Sequence, residues 1–179
     1  MRTHLARALA PAILVLAIAG CAHEQRPLPP QPNVQRPAPA RPAAPLSAAR
    51  YVATSGSIDL FVIRSSELAL QRSASPQVRR IASMLIDAHK GTSAQLSFAG
   101  RRLNLLPSAT LQPTHQAMFD QLLSSGNFDA TYLRFQRTVH RQGVSLDRAY
   151  AADGTSPTLR PVAAERLAII QRELPLLDK

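Results

Sequence analysis

The chain has 179 residues, enough for one domain with an appended segment, and 45% of them are apolar. Only 4% are aromatic and tryptophan is absent, which argues against a nucleic-acid surface that works by stacking bases. The net charge is +10, and every basic residue except Lys90 and Lys179 is an arginine. Two interpretations of this charge remain open: attraction to an anionic partner, and arginines spread over solvated helix faces.

The first 20 residues have the pattern of a bacterial export signal. Arg2 and Arg7 give a basic start, and Ala8–Ala17 is an apolar run too short to span a membrane. The next four residues, Ile18–Cys21, resemble the lipobox of bacterial lipoproteins. That resemblance implies cleavage before Cys21 and its acylation, so that lipid chains anchor the protein in a membrane. Because Ala22 and not an aspartate follows the cysteine, the analogy favours an outer-membrane lipoprotein facing the periplasm.

Residues 21–46 are predicted to be a disordered tether that begins at the lipidated cysteine. Ala22–Leu46 contains eight of the 15 prolines, three arginines and no apolar period. Such a segment cannot bury a core and is typical of an extended, polyproline-like spacer. At about 3.1 Å per residue, its 25 residues would reach roughly 75 Å from the lipid surface.

Residues 47–179 are predicted to form an all-α domain, because apolar residues recur with helical spacing and no stretch alternates with a period of two. Ser47 and the pair Ser75-Pro76 have the character of helix starts, and Ser156-Pro157 repeats that signal. The predicted helices are Ala48–Arg72, Pro76 to about Leu103, Pro113–Leu123, Phe128–Ala151 and Pro157 to about Leu177.

One helical stripe carries a histidine among apolar residues. Ile81, Leu85 and His89 are spaced four apart and therefore lie on one face of the second helix. His115, at the start of the short helix, is expected to be exposed. Four long helices with brief connections predict an up-down antiparallel four-helix bundle, with the short helix as an addition.

Several short motifs of this domain occur in an order and spacing that resemble the bacterial domain-of-unknown-function 4142 family. They are Ser66–Val78, Ala82–His89, Phe128–Tyr132 and His140, and the resemblance covers nearly all of Ala48–Leu177. It implies an exported protein, often a lipoprotein, with a ferritin-like four-helix bundle.

The resemblance also implies a metal site, because ferritin-like bundles hold metals on inward-facing histidines and carboxylates. Typical members have histidines at the positions of His89 and His140, and a further histidine where this chain has Glu173. Three positions that are acidic in typical members are apolar here: Val62, Ala88 and Val139.

The candidate metal ligands are therefore His89, His140 and Glu173, with Asp59 as an extra carboxylate one turn before Val62. Three such nitrogen and oxygen ligands suit Fe, Zn or Mn. The set lacks the bridging carboxylates and the Glu-x-x-His spacing of a di-iron centre. The alternative is a structural role, in which the two histidines are buried and hydrogen-bonded to each other, to Glu173 or to backbone.

No catalytic residues can be assigned. The sequence has no Gly-rich phosphate loop, no Gly-x-Ser-x-Gly elbow and no Cys-x-x-Cys, and its one cysteine is assigned to lipid. We therefore expect a non-enzymatic binding or structural module on the cell-envelope membrane. Its expected partner is another envelope protein or an anionic cell-wall or lipopolysaccharide component, and not nucleic acid. The alternative is a metal- or small-ligand-binding ferritin-like domain linked to envelope stress.

Overall fold

The structure is a computed structural model that describes residues 44–178. The predicted signal peptide, Cys21 and all but the end of the tether lie outside the described residues. Every regular element of the described part is helical, which confirms the all-α prediction: α1 (Ala48–Arg72), α2 (Pro76–Arg101), α3 (Pro113–Leu123), α4 (Phe128–Asp153) and α5 (Arg160–Leu177). Over residues 44–178, no helix combines the length and the apolar character needed to cross a membrane.

The first two helices begin at the predicted caps. Ser47 Oγ accepts the Arg50 N–H at 3.3 Å, and Ser75 Oγ accepts the Val78 N–H at the same distance. Each serine thus satisfies one of the backbone donors that a helix start leaves without an intrahelical partner. The second helix ends shortly before Asn104, whose φ of 56° is left-handed and cannot continue an α-helix.

The start of α5 differs from the prediction. Ser156 O accepts the N–H groups of Leu159 and Arg160 at 3.1 Å, which closes a tight turn, and the helix begins only after it. Pro161 lies in the first helical turn, where a missing N–H leaves no bond unmade. The earlier Ser-Pro pair therefore marks the turn and not the helix, and α5 continues past Pro175.

The four long helices form a ring in the order α1, α2, α5, α4. Tyr51 pairs with Asp147 and Ser66 with Tyr132, so α1 and α4 are antiparallel, and the other neighbouring pairs are antiparallel as well. Helices α2 and α4 consequently run in the same direction across the diagonal. The chain between them returns along the bundle through α3, which packs on α1 and α4. All neighbouring long helices are antiparallel, which confirms the predicted antiparallel bundle. The long crossover between α2 and α4, typical of the ferritin-like arrangement, stands where a brief connection was expected.

The core consists of two apolar clusters with buried polar residues between them. On α2, residues 78–85 belong to the larger cluster and residues 96–99 to the smaller one, while His89 and Thr92 lie between. On α4 the order is the same, and on the antiparallel α5 it is reversed, with polar residues between the apolar ends in both. We call these residues the polar layer; its members are Asp59, His89, Thr92, His140, Asp147, Arg166 and Glu173.

The prediction that His115 is exposed is wrong, since only 1% of its surface is accessible. Its Nδ1 lies 2.7 Å from Ser57 Oγ and its Nε2 lies 3.0 Å from Gln142 Oε1, so α3 is held inward against α1 and α4. The loop before α3 also packs on α1. A Cβ atom added at Gly56 would lie 2.5 Å from Pro107 Cβ, so this glycine provides the space for the loop.

Candidate metal centre

His89 is oriented from both sides of its ring. Helix α2 places it on the inner face, where it is fully buried. Its Nδ1 lies 2.8 Å from Asp59 Oδ1, and its Nε2 lies 3.3 Å from Glu173 Oε2. A carboxylate accepts only, so Nδ1 carries a proton and donates it to Asp59. In the neutral imidazole, the lone pair is then on Nε2 and faces Glu173.

His140 reaches the same carboxylate from α4. Its Nδ1 donates to the backbone oxygen of Gln136 at 2.8 Å, which fixes the proton on that nitrogen. Its Nε2 lies 3.3 Å from Glu173 Oε2. The two imidazole rings meet edge to face with centroids 5.4 Å apart. Both histidines therefore present Nε2 to one oxygen of Glu173.

The three converging atoms make no hydrogen bond of good geometry. His89 Nε2, His140 Nε2 and Glu173 Oε2 are buried; the two nitrogens lie at ion-pair distance from the carboxylate oxygen, but within residues 44–178 none of the three atoms makes a hydrogen bond of acceptable geometry. Buried polar atoms are nearly always paired, because an unpaired one costs about 1–3 kcal/mol. These three atoms of ligand type, all within 4.8 Å of one another, form a group that could hold a metal ion.

The electrostatics of these groups favour positive charge between them. Burial acts to lower the pKa of His89, but its hydrogen bond to Asp59 and the negative charges of Asp59 and Glu173 outweigh it and raise the pKa to about 9. Burial acts to raise the pKa of Glu173, but His140 and His89 outweigh it and lower the pKa to about 2. At neutral pH the metal-free site thus holds a carboxylate beside an imidazolium, and a cation that binds there replaces a proton.

Asp59, predicted as an extra ligand, does not face the three converging atoms. Its Oδ1 accepts from His89 Nδ1 and, at 3.1 Å, from Thr92 Oγ1. Arg166 donates to Oδ2 from Nη1 at 2.7 Å and to Oδ1 from Nη2 at 3.0 Å. Burial raises the pKa of Asp59, but Arg166 and His89 more than offset this and lower it. Asp59 is therefore an ionised partner of His89 on the far side of the ring.

Arg166, Asp147 and Tyr51 were not predicted as part of the site. Arg166 Nε lies 3.5 Å from Asp147 Oδ1, which accepts the Tyr51 hydroxyl at 2.8 Å. Burial raises the pKa of Asp147 although Arg166 opposes it. A sequence signal was present, because Arg166 lies seven residues before Glu173 and Asp147 seven residues after His140. That spacing places each pair on one helix face.

The sequence matches the profile of one protein family over residues 33–177, nearly the whole bundle and part of the tether. That family is described as "Domain of unknown function (DUF4142)". The chain belongs to this family. A comparison with functionally curated proteins finds no significant match to the DUF4142 chain.

Solved structures share the fold of this DUF4142 domain. CopM in its Cu(II)-bound form has a TM-score of 0.63 and 15% identity, covering 75% of this chain and 95% of that one. A DUF305 fragment from Deinococcus radiodurans has a TM-score of 0.64 and 15% identity, covering 73% and 92%. CopM in its Ag-bound form has a TM-score of 0.60 and 14% identity, covering 74% and 93%. At these identities the likeness establishes a common helical-bundle fold.

Three positions that the family resemblance marks as acidic are apolar in this DUF4142 domain. Val62 and Val139 are fully buried in the larger apolar cluster, and Ala88 is half-buried. Among the described residues, Glu173 is thus the one carboxylate that shares a ligand group with the two imidazoles. Such an arrangement suits a single ion and not a carboxylate-bridged pair.

Proposed function

We propose that this DUF4142 domain is a non-enzymatic metal-binding module of the cell envelope, which holds one transition-metal ion on His89, His140 and Glu173. The observation that carries the proposal is the convergence of three buried ligand atoms that lie within 4.8 Å of one another and, within residues 44–178, make no hydrogen bond of good geometry. In a purely structural polar cluster, these atoms would be expected to make hydrogen bonds. Both ring nitrogens of the buried His115 do so, with Ser57 and Gln142.

The distances from Glu173 to the two imidazoles fit the ligand spacing of one small ion. Glu173 Oε2 lies 3.3 Å from Nε2 of His89 and 3.3 Å from Nε2 of His140. Two ligands of a tetrahedral ion with bonds of about 2.0–2.1 Å are themselves about 3.3 Å apart. Two histidines and one glutamate also leave a fourth position for water, as in three-ligand zinc sites.

The donor set favours Cu(II) and Zn(II) over Fe(II) and Mn(II). Affinity for a given nitrogen and oxygen site rises along the series from Mn(II) to Cu(II), with Zn(II) somewhat below Cu(II). The group contains no thiolate or thioether, the ligands that select Cu(I) and Ag(I). The fold relative CopM has structures with Cu(II), Cu(I) and Ag, which supports copper as the first ion to test.

The metal test uses full-length protein purified in detergent and loaded with Cu(II) or Zn(II). We expect about one ion per chain by elemental analysis after dialysis, and none in the double variant His89→Ala/His140→Ala. The matched control is His115→Gln, which alters a buried histidine outside the site and should keep the ion. Equal metal content in wild type and the double variant would refute the proposal.

The site's location is a second part of the proposal: an outer-membrane lipoprotein anchored through Cys21, with the bundle facing the periplasm. The lipobox-like Ile18–Cys21 and the proline-rich tether support this. The net charge of +6 on residues 47–179 supports an anionic cell-wall or lipopolysaccharide partner, or an envelope protein with an acidic surface.

The anchor is tested by membrane fractionation. Cys21→Ser should abolish cleavage before residue 21 and the acylation there, so that the protein is lost from the outer-membrane fraction. The control is Ala22→Ser, which keeps the cysteine. A Cys21→Ser protein that remains in the membrane with normal processing would contradict the lipoprotein assignment.

A further inference from the structure

We propose that Asp59, held in place by Arg166, is a positioning residue that sets how His89 presents its Nε2 to a metal ion. The inference deepens the proposed function and rests on it. It assigns a role to a buried carboxylate on α1 that does not face the ion, and to a buried arginine on α5.

Both carboxylate oxygens of Asp59 accept hydrogen bonds. Oδ1 accepts from His89 Nδ1 at 2.8 Å and from Thr92 Oγ1 at 3.1 Å. Arg166 spans both oxygens with two parallel hydrogen bonds of 2.7 and 3.0 Å. A planar guanidinium bound in this way fixes the plane of the carboxylate as well as its distance. The carboxylate that accepts from His89 is therefore fixed in direction by side chains on two other helices, Thr92 on α2 and Arg166 on α5.

This contact decides which ring nitrogen is free for an ion. With Nδ1–H donated to Asp59, the imidazole must bind through Nε2, the atom that faces Glu173. His140 achieves the same state through the backbone oxygen of Gln136, which no side-chain substitution removes. The two imidazoles are thus oriented by different means, and only that of His89 depends on replaceable side chains.

The charge of Arg166 explains how Asp59 can remain ionised while buried next to His89. Asp59 is fully buried, and an unpaired charge there would be costly. The guanidinium supplies the opposite charge at hydrogen-bond distance without competing for the metal, because arginine stays protonated and offers no lone pair. Asp59 therefore remains an acceptor whether the site holds a proton or an ion.

The test compares Cu(II) affinity of full-length wild type, Asp59→Asn and the control His115→Gln by competition titration. His115 is buried like His89, but its ring nitrogens meet Ser57 and Gln142, outside the site. Side chains that hydrogen-bond to metal-binding histidines typically contribute 10–100-fold to affinity, and we expect a loss in this range for Asp59→Asn. His115→Gln should lose thermal stability but stay within about 3-fold of the wild-type affinity. The Cu(II) electron paramagnetic resonance spectrum should change only in Asp59→Asn.

The outcomes separate the two proposals. Wild type that binds no Cu(II) overturns the metal-binding function and this inference with it. Wild type that binds, together with an Asp59→Asn protein of equal affinity and unchanged spectrum, overturns the positioning role alone. Should Asp59→Asn fail to fold, the double variant Asp59→Asn/Arg166→Met removes both buried charges and must show the same loss of affinity.

Discussion

Replacing Arg166 by methionine tests whether the polar layer is held together by one buried cation. The side chain is fully buried and meets Asp59 at 2.7 and 3.0 Å and Asp147 at 3.5 Å. Methionine fills a similar volume but brings no charge. Asp59 would keep only its hydrogen bonds from His89 and Thr92, and a buried carboxylate would lose its main counter-ion.

Removing one partner of a buried ion pair typically costs about 3–5 kcal/mol of unfolding free energy. We expect the lower end, about 3 kcal/mol, because His89 still donates to Asp59. For a bundle of roughly 130 residues, this corresponds to a fall in Tm of about 10 °C. The measurement is thermal and urea unfolding followed by circular dichroism, with chelator present so that no metal contributes.

The double variant Asp59→Asn/Arg166→Met provides the control. It removes both charges, so it should be more stable than the sum of the two single losses predicts, by at least about 1 kcal/mol. The pair does not stabilise the layer as described if the unfolding free energy of Arg166→Met lies within about 1 kcal/mol of wild type. The same follows if the losses of Asp59→Asn and Arg166→Met simply add in the double variant.

Three further predictions concern protons and packing. Because His89, with a pKa of about 9, must release a proton from Nε2, Cu(II) or Zn(II) affinity should rise about tenfold per pH unit between about pH 7 and 8.5 in calorimetric titrations; a flat profile would show that no proton is displaced. In metal-free protein, the stabilisation contributed by the His89 proton is fully present below the unfolded pKa of 6.5 and is lost as pH rises to about 9. Unfolding free energy should therefore fall by about 3 kcal/mol over that range in wild type and His115→Gln, but not in His89→Gln. Gly56→Ala should destabilise the bundle by about 1–3 kcal/mol, since its Cβ would press on Pro107, whereas Gly91→Ala, with nothing within 4 Å, should stabilise it by about 0.5–1 kcal/mol. Unfolding midpoints of the two glycine variants that move in the same direction would contradict this packing argument.

The helices of the bundle were predictable because their signals are local. Serine caps, prolines in first turns and apolar spacing gave α1 and α3 with their observed bounds and α4 within two residues at its end. The start of α5 was missed because a Ser-Pro pair can begin a turn as well as a helix, and Pro161 allowed either reading. His115 was misplaced because its burial depends on Ser57 and Gln142, which no local pattern connects to it.

The site was predictable in part. His89, His140 and Glu173 were chosen from helix faces and from the family resemblance, and the structure brings these three together. Asp59 was placed on the right helix but on the wrong side of His89, because spacing along α1 does not show which ring nitrogen a carboxylate will meet. Arg166 was overlooked because an arginine in an amphipathic helix normally lies on the solvent side. Its burial follows from Asp59, a residue 107 positions away.

The polar layer has a consequence for the alignment of the helices along the bundle axis. Apolar side chains of similar size can exchange places with little loss, so an all-apolar core would tolerate helices that slide past one another. Moving α5 by one helical turn, about 5.4 Å, would carry Arg166 away from Asp59 and bring Glu173 among apolar side chains. Charged groups that meet at one level thus fix a single register, much as a lone polar residue does in a coiled coil. In this bundle the residues that prepare a cation site also determine which of several similar packings the sequence adopts.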